Sequence, residues 1–259
     1  MSLWILAVIV GLLVAGIRAA NNRVSQSADR HAVRSLKIAI EQFKQDHGFL
    51  PPLVDDTMPP LNGTALNVYQ LSDPMDLQFL RTKQVLPTVD PRFSIYSLGL
   101  YLFGPLDATI DGKDGPGFRK PNADGTFQLS GGRVFDPVVD GSRGMQGLVP
   151  AEPQGEGRFE IHDRHDVPFR YYRWERGKPN NGSVVLLPDD LNVPEIVGDA
   201  STQVELRSAD YAVVGAGPNG VFGDEDPFTL VGAVGGSVSD VNRLRERARS
   251  DNIVEIGTK

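Results

Sequence analysis

Residues 28–43 read Ala28-Asp-Arg-His-Ala-Val-Arg-Ser-Leu-Lys-Ile-Ala-Ile-Glu-Gln-Phe43, and their pattern sets the expected architecture. Apolar residues recur at spacings of three and four, so they fall on one face of an amphipathic helix. Charged and amide side chains occupy most positions between them. Gly48, followed by Pro51 and Pro52, predicts that the helix ends by residue 47. The apolar face consists of Ala28, Ala32, Val33, Leu36, Ile40, Phe43 and His47.

The segment before this helix carries no charge from Leu3 to Ile17. No Pro interrupts residues 1–47, so a membrane half and an amphipathic half can form one helix, roughly 65–70 Å long. The uncharged part covers only about 22 Å of a hydrocarbon core of about 30 Å, and its Arg-rich flank conflicts with the positive-inside rule for an exported body. A cleaved signal peptide is the alternative, but the start lacks the basic residues of one. We expect a retained transmembrane anchor over residues 1–20 and the amphipathic half over residues 21–47.

The composition limits what the remaining body, residues 48–259, can be. With 28 Gly and 19 Pro in 259 residues, we expect a loop-rich body that contains strands. The chain has no Cys, which excludes disulfides and thiolate chemistry. Its net charge of −7 argues against nucleic acid as a partner, because binding phosphates requires a basic surface.

Short apolar segments bounded by turn residues predict an antiparallel meander in this body. Residues 67–83 and 239–250 predict short helices, whereas residues 94–103 fit either a buried helix or a strand. Residues 104–157 predict a long loop-rich segment. The predicted strands cover residues 126–129, 133–135, 158–161, 168–174, 183–187, 210–214 and 228–231.

Two motifs resemble functional sites but lack the surrounding sequence that such sites require. Gly215-Ala-Gly-Pro-Asn-Gly220 matches the dinucleotide fingerprint, but the acidic, Pro-containing sequence that follows does not predict the helix that must hold the phosphates. His162 and His165 lie three residues apart, and a surface turn is favoured over a zinc site because further ligands are missing. No nucleophile with a base is visible, so we expect no enzymatic activity.

Hard oxygen donors gather in the C-terminal part of the chain, in a Gly-rich segment that can also expose carbonyls. Ca²⁺ accepts six to eight such ligands in irregular geometry, so a cation loop and an acidic solvated turn are equally compatible with the residues. The donors are Asn219, Asp224, Glu225, Asp226, Asp251 and Asn252.

Several motifs, in their order along the chain, resemble type IV pilin-like proteins, most closely the major (G-type) pseudopilin of type II secretion systems. The first is the apolar N-terminal segment followed by the helix pattern that runs from Ala28 to Pro51. The processing motif of the family is missing, since Ser2 stands where its Glu is expected. The other matching motifs are Asp166-x-Pro168-Phe-Arg-Tyr-Tyr172, Tyr211-x-Val-Val-Gly-Ala-Gly217-Pro-Asn-Gly220-x-Phe-Gly223 and Asp251-Asn-Ile253.

The resemblance implies an α+β pilin-like fold, in which one long N-terminal helix packs on a small antiparallel sheet with long loops. Relative to the family, the loop-rich residues 104–157 and the helix at 239–250 are expected to be insertions. It also implies a structural subunit of a pseudopilus or type IV pilus-like filament that supports protein secretion, anchored in the inner membrane by a single pass with its body in the periplasm. The alternative is a monomeric, membrane-tethered extracytoplasmic binding domain.

The resemblance further implies partners and a metal. Residues 3–43 would mediate self-assembly, and the other partners would be further pseudopilins, inner-membrane secretion components and membrane lipid. Ca²⁺ would bind in the C-terminal loop, with ligands at Asn219, Asp224, Asp226, Asp251 and Asn252.

Overall fold

A computed structural model describes eight ranges of the chain: residues 27–54, 68–69, 93–106, 110–123, 125–139, 148–150, 159–174 and 193–258. Within these ranges the fold is α+β, with four α-helices and small antiparallel sheets. The helices are α1 (residues 27–47), α2 (Ser97–Phe103), α3 (Pro227–Val234) and α4 (Val241–Arg249).

The main sheet has four antiparallel strands in the order β10-β9-β8-β3. In the described residues, three two-stranded pairs accompany it: β1 with β2, β4 with β5, and β6 with β7. The strands are β1 (Leu53–Val54), β2 (Val68–Tyr69), β3 (Phe93–Ser94), β4 (Phe118–Arg119), β5 (Val134–Phe135), β6 (Leu148–Pro150), β7 (Phe159–Ile161), β8 (Arg170–Arg173), β9 (Tyr211–Gly215) and β10 (Ile253–Gly257).

Strand β9 is buried along its whole length, because both faces of the main sheet are covered. Tyr211 and Val213 belong to the core cluster that includes α1 and α2. Ala212 and Val214 belong to a second cluster, formed with residues 193–209 on the other face. An uninterrupted apolar strand is the pattern expected of two-sided burial.

Helix α1 contributes its apolar face to the first of these clusters. Leu36, Ile40 and Phe43 are fully buried there together with Tyr211. Polar contacts also join α1 to the sheet. The Tyr211 hydroxyl on β9 donates to Glu41 Oε1 over 2.5 Å. Arg34 Nε lies 2.9 Å from Glu255 Oε1 on β10. The period of 3.6 in the sequence therefore predicts the buried face of α1 correctly from Val33 to Phe43, whereas at its start Ala28 is exposed and Asp29 is buried.

Helix α2 is buried on every side, which explains why periodicity does not identify it. A Cβ at Gly99 would come 2.1 Å from the carbonyl oxygen of Phe159, so only glycine permits the close approach to β7. Strand β3 precedes the helix directly, so residues 94–103 contain the end of a strand and a helix.

The predicted fold is wrong. It required one long N-terminal helix, with a membrane half and an amphipathic half, that packs on the sheet. Helix α1, as described, contains no apolar membrane span, because its exposed positions carry Arg30 and Arg34. The predicted membrane half, residues 1–20, lies outside the described residues.

The prediction of a transmembrane, single-pass protein of the inner membrane with a periplasmic body is corrected as well. In the described ranges, no helix has the length and apolar character needed to cross a membrane. The correction concerns the membrane anchor alone, and the binding domain, which is the alternative to the filament subunit, stays a prediction.

One smaller correction concerns residues 228–231, which are not a strand but part of α3. The Asp226 carboxylate accepts hydrogen bonds from the amides of Phe228 and Thr229, and Pro227 occupies the first helical position. An Asp cap followed by Pro is a helix start signal that outweighs the apolar run. The described part of the predicted helix 67–83, Val68–Tyr69, is the strand β2. The rest of that helix and the predicted strand 183–187 lie outside the described residues.

We expect Phe43→Ala to lower the free energy of unfolding by about 3–5 kcal/mol, because it opens a cavity in a close-packed aromatic cluster. The ring of Phe43 lies 5.9 Å from that of Tyr101 and 6.3 Å from that of Phe118, centroid to centroid. Urea denaturation measures the change. Ile38→Ala on the exposed face of the same helix is the control and should change the value by about 0.5 kcal/mol or less; equal losses would contradict the assignment of faces.

Candidate functional site

The residues after β9 and before β10 meet at one end of the main sheet. Ile253, the first residue of β10, pairs with Gly215, the last residue of β9. A 3-10 turn, Gly217–Asn219, follows β9 directly. Gly217 has φ +69°, and a Cβ there would come 2.3 Å from the carbonyl oxygen of Asp251. Glycine is thus required at this position both for its conformation and for the close approach of the two chain segments.

Asn219 and Asp251 form the first half of the predicted ligand set. The Asn219 amide donates to Asp251 Oδ2 over 3.1 Å, and its side-chain nitrogen donates to Asp251 Oδ1 and to the carbonyl of Ala248. Burial raises the pKa of the Asp251 carboxyl, and the hydrogen bonds from Asn219 offset part of this effect. Asn252 donates from its side chain to the carbonyl of Phe222 over 3.0 Å, which ties the loop to the start of β10.

Asp224 and Glu225 form a second group that faces Arg170 on β8. Asp224 is buried, and its Oδ2 lies 2.6 Å from Nη1 of Arg170. Glu225 Oε1 lies 3.8 Å from Nη2 of the same guanidinium. Both oxygens of Glu225 also accept backbone amides, from Phe222 and Gly223, at 2.8 Å each. The two carboxylates are therefore held by donors of the protein itself.

Asp226, the remaining predicted ligand, is exposed and serves as the N-cap of α3. Its Oδ1 lies 2.9 Å from the amide nitrogen of Phe228, and the Thr229 hydroxyl donates to its Oδ2. Hydrogen bonds from Thr229 lower the pKa of the Asp226 carboxyl, since they stabilise its charged form. Asp226 satisfies amides that a helix start would otherwise leave without partners.

The acidic members of the predicted Ca²⁺ ligand set each have partners within the protein. No group of three Asp, Glu or His in the described part of the chain is arranged to hold a metal ion. Ca²⁺ requires six to eight oxygens at 2.3–2.6 Å, whereas Asp224 pairs with Arg170 and Asp226 caps α3. Ca²⁺ binding thus stays a prediction drawn from the resemblance.

The stretch Gly215–Gly220 lacks the helix that binding of a dinucleotide requires. The 3-10 turn at Gly217–Asn219 ends at Gly220, and the next helix begins only at Pro227. The acidic segment lies between them, where the amides of a helix start would have to face a pyrophosphate.

The turn after β7 is less exposed than the sequence predicts. Asp163 is buried, and its Oδ1 accepts the amides of His165 and Val167. His165 Nε2 lies 3.4 Å from Oδ2 of Asp29, which is buried on α1. Burial and the nearby Asp163 carboxylate raise the pKa of Asp29, and His165 opposes this in part. Sequence analysis misses both acids, since each lies among charged residues that suggest a solvated surface.

His162 lies between two carboxylates. Its Nδ1 is 2.8 Å from Asp166 Oδ1, and its Nε2 is 2.7 Å from Glu160 Oε2. Burial lowers the pKa of His162, but the hydrogen bonds to Glu160 and Asp166 outweigh it, so the net shift is upward from 6.5. When the imidazole is protonated it donates to both carboxylates, and so stabilises the turn that leads into β8.

An open cleft of about 280 Å³ runs between α1 and the start of β10. Arg30 and Arg34 line one side, and residues 250–255 line the other. The Arg34 guanidinium is engaged with Glu255 across it.

No protein-family model matches the chain, and comparisons with curated proteins and with solved structures find no match either. The pilin-like resemblance therefore rests on the motifs alone.

We expect the stabilising effect of His162 to depend on pH. The group has a folded-state pKa above its unfolded value of 6.5, so its contribution is fully present below pH 6.5 and disappears as the pH rises through the folded pKa. The difference in free energy of unfolding between wild type and His162→Gln, measured by urea titrations over a pH series, should shrink across this window. Glu160→Gln removes one acceptor and should flatten the dependence; a difference that grows with pH would contradict the assignment.

Proposed function

We propose that this chain is a structural subunit of a pseudopilus or type IV pilus-like filament, in which copies assemble through α1 to support protein secretion. The role is mechanical rather than enzymatic. The order of the pilin-like motifs supports this proposal, and one feature of α1 carries it: an exposed, uncharged stripe along the side of the helix that faces away from the core.

The stripe has the spacing of a helix–helix seam. Its members alternate steps of three and four residues, which is the spacing that keeps one line of side chains facing a partner helix. Ile38, near its centre, is 67% exposed. Because exposed large aliphatic side chains gain free energy on burial, Ile38 favours a contact with another molecule. The stripe consists of Ala28, His31, Ser35, Ile38, Gln42 and Gln45.

Three cationic side chains of α1 next to this stripe contact the protein's own body. Arg34 and Lys37 both face Glu255 on β10, with nitrogen–oxygen distances of 2.9 and 3.6 Å. Lys44 Nζ donates to the carbonyl of Thr258 over 3.1 Å and lies 3.5 Å from Glu41. Since Glu255 and Glu41 offset part of this positive charge within one copy, two helices can approach along the stripe with less repulsion.

We expect Ile38→Cys to form an intermolecular disulfide when the full-length protein is oxidised. The natural chain has no Cys, so every crosslink reports on the introduced thiol. Val204→Cys is the matched control, because Val204 is also 67% exposed but lies in the segment that covers the opposite face of the sheet. Non-reducing electrophoresis measures the dimer. Equal crosslinking of both variants, or none with Ile38→Cys, would contradict assembly through α1.

A charge on the stripe should prevent assembly without unfolding the protein. We expect Ile38→Asp to shift the full-length protein to the monomer in sedimentation experiments, because burying the carboxylate in a helix contact is costly. Its Tm should stay within about 2 °C of the wild type, as expected of an exposed position. Val204→Asp should leave both properties unchanged. Undiminished self-association of Ile38→Asp would rule out the stripe as the contact.

A further inference from the structure

Arg170 is a mostly buried cation beneath the acidic loop formed by residues 222–226. It lies on β8, where it pairs in register with Val214 near the end of β9. Its side chain is 13% exposed, and that of Asp224 is 5% exposed. A charge removed from water to this degree is tolerated only when its donors are matched by acceptors.

The acceptors are provided on several sides. Nη1 contacts Asp224 Oδ2 at 2.6 Å and the Tyr172 hydroxyl oxygen at 3.3 Å, and Nη2 faces Glu225. The guanidinium carbon also lies 3.8 Å from the ring centroid of Phe222 and 4.5 Å from that of Phe93. Both distances are within the range of a cation–π interaction. Carboxylates and aromatic rings thus surround one positive charge.

The guanidinium of Arg170 contacts the carboxylate oxygens that a metal ion in this loop would have to bind. A bound cation that closes the loop must draw Asp224 and Glu225 toward the sheet, and Arg170 does so from β8. A Ca²⁺ ion on the same oxygens would lie close to the guanidinium and be repelled by it. Moving Arg170 away would leave its charge in an apolar surrounding, at a high cost in free energy.

Helices α3 and α4 close the loop from its other side. A Cβ at Gly223 would come 2.6 Å from Cγ of Arg249 and 3.0 Å from the carbonyl oxygen of Arg245, so α4 lies directly against the loop. Asp226 starts α3 and is engaged there. These contacts leave the loop anchored by α3, α4 and β8.

We infer that the guanidinium of Arg170 is the cation of this acidic loop and replaces a divalent metal in tying the loop to the sheet. The loop therefore closes at any Ca²⁺ concentration, and its acidic residues serve folding rather than metal binding. The residues involved lie on β8 and in the loop after β9, so the role of Arg170 does not depend on filament assembly through α1.

The direct test is the Tm of the full-length wild-type protein in excess EGTA and in millimolar CaCl₂. We expect the two values to agree, since a ligand raises Tm only if it binds the native state more tightly than the unfolded chain. A higher Tm in CaCl₂, reversed by EGTA and absent in Asp224→Asn, would overturn the inference.

Mutations test whether Arg170 itself is that cation. Arg170→Met leaves the Asp224 carboxylate buried without its partner and should lower Tm by about 10 °C. Arg34→Met is the matched control, because Arg34 forms an ion pair of similar length with Glu255 but its side chain is 64% exposed. For this variant we expect the Tm to fall by about 2 °C or less.

A double variant separates the interaction between the two charges from the effects of losing each side chain alone. Arg170→Met/Asp224→Asn removes both charges, so its loss in Tm should be smaller than the sum of the two single losses. A loss equal to or larger than that sum would show that the charges are not coupled and would overturn the inference. If Arg170→Met does not fold, the comparison in EGTA and CaCl₂ on the wild type still decides.

Discussion

Strand β9 has no side that faces solvent, so each of its faces needs a covering layer. Helix α1 covers one face through Leu36, Ile40 and Phe43, and residues 193–209 cover the other through Leu206 and their neighbours. The hydrogen bond from Tyr211 to Glu41 fixes α1 on β9, because a buried hydroxyl without a partner would cost free energy. The position of α1, and with it the exposed stripe around Ile38, follows from the need to cover β9.

The same two-sided burial determines the character of the loop after β9. The chain leaves the sheet next to Arg170, since this residue pairs in register with Val214. Whatever follows β9 must therefore cover a charged side chain, and an apolar loop would leave that charge unpaired. Asp224 and Glu225 provide the counter-charge, and Phe222 provides an aromatic face. The acidic composition of the loop is thus explained by what lies beneath it.

Local patterns in the sequence predict the buried face of α1 and its end at residue 47, because period and Gly or Pro breaks are local signals. They fail for α2, which is buried all round, and for residues 228–231, where an apolar run hides the cap at Asp226. The sequence groups Asn219 and Asp251 as donors of one candidate cation loop, but it does not predict the hydrogen bonds between them. The Arg170–Asp224 pair spans 54 residues and depends on strand register, so no local pattern could identify it. Without knowledge of Arg170, the acidic residues of the loop suggest a metal site.

A tethered guanidinium and a diffusible metal ion solve the same electrostatic problem under different conditions. Closure by Ca²⁺ depends on its concentration, through the mass action of a bound ligand. Closure by Arg170 is part of the fold, and its planar fork of donors gives direction as well as charge. The carboxylates here are already used: Asp224 by Arg170, Glu225 by backbone amides and Asp226 by the start of α3. Carboxylate oxygens in a loop therefore indicate a metal site only if they are not already engaged by hydrogen-bond donors of the protein itself.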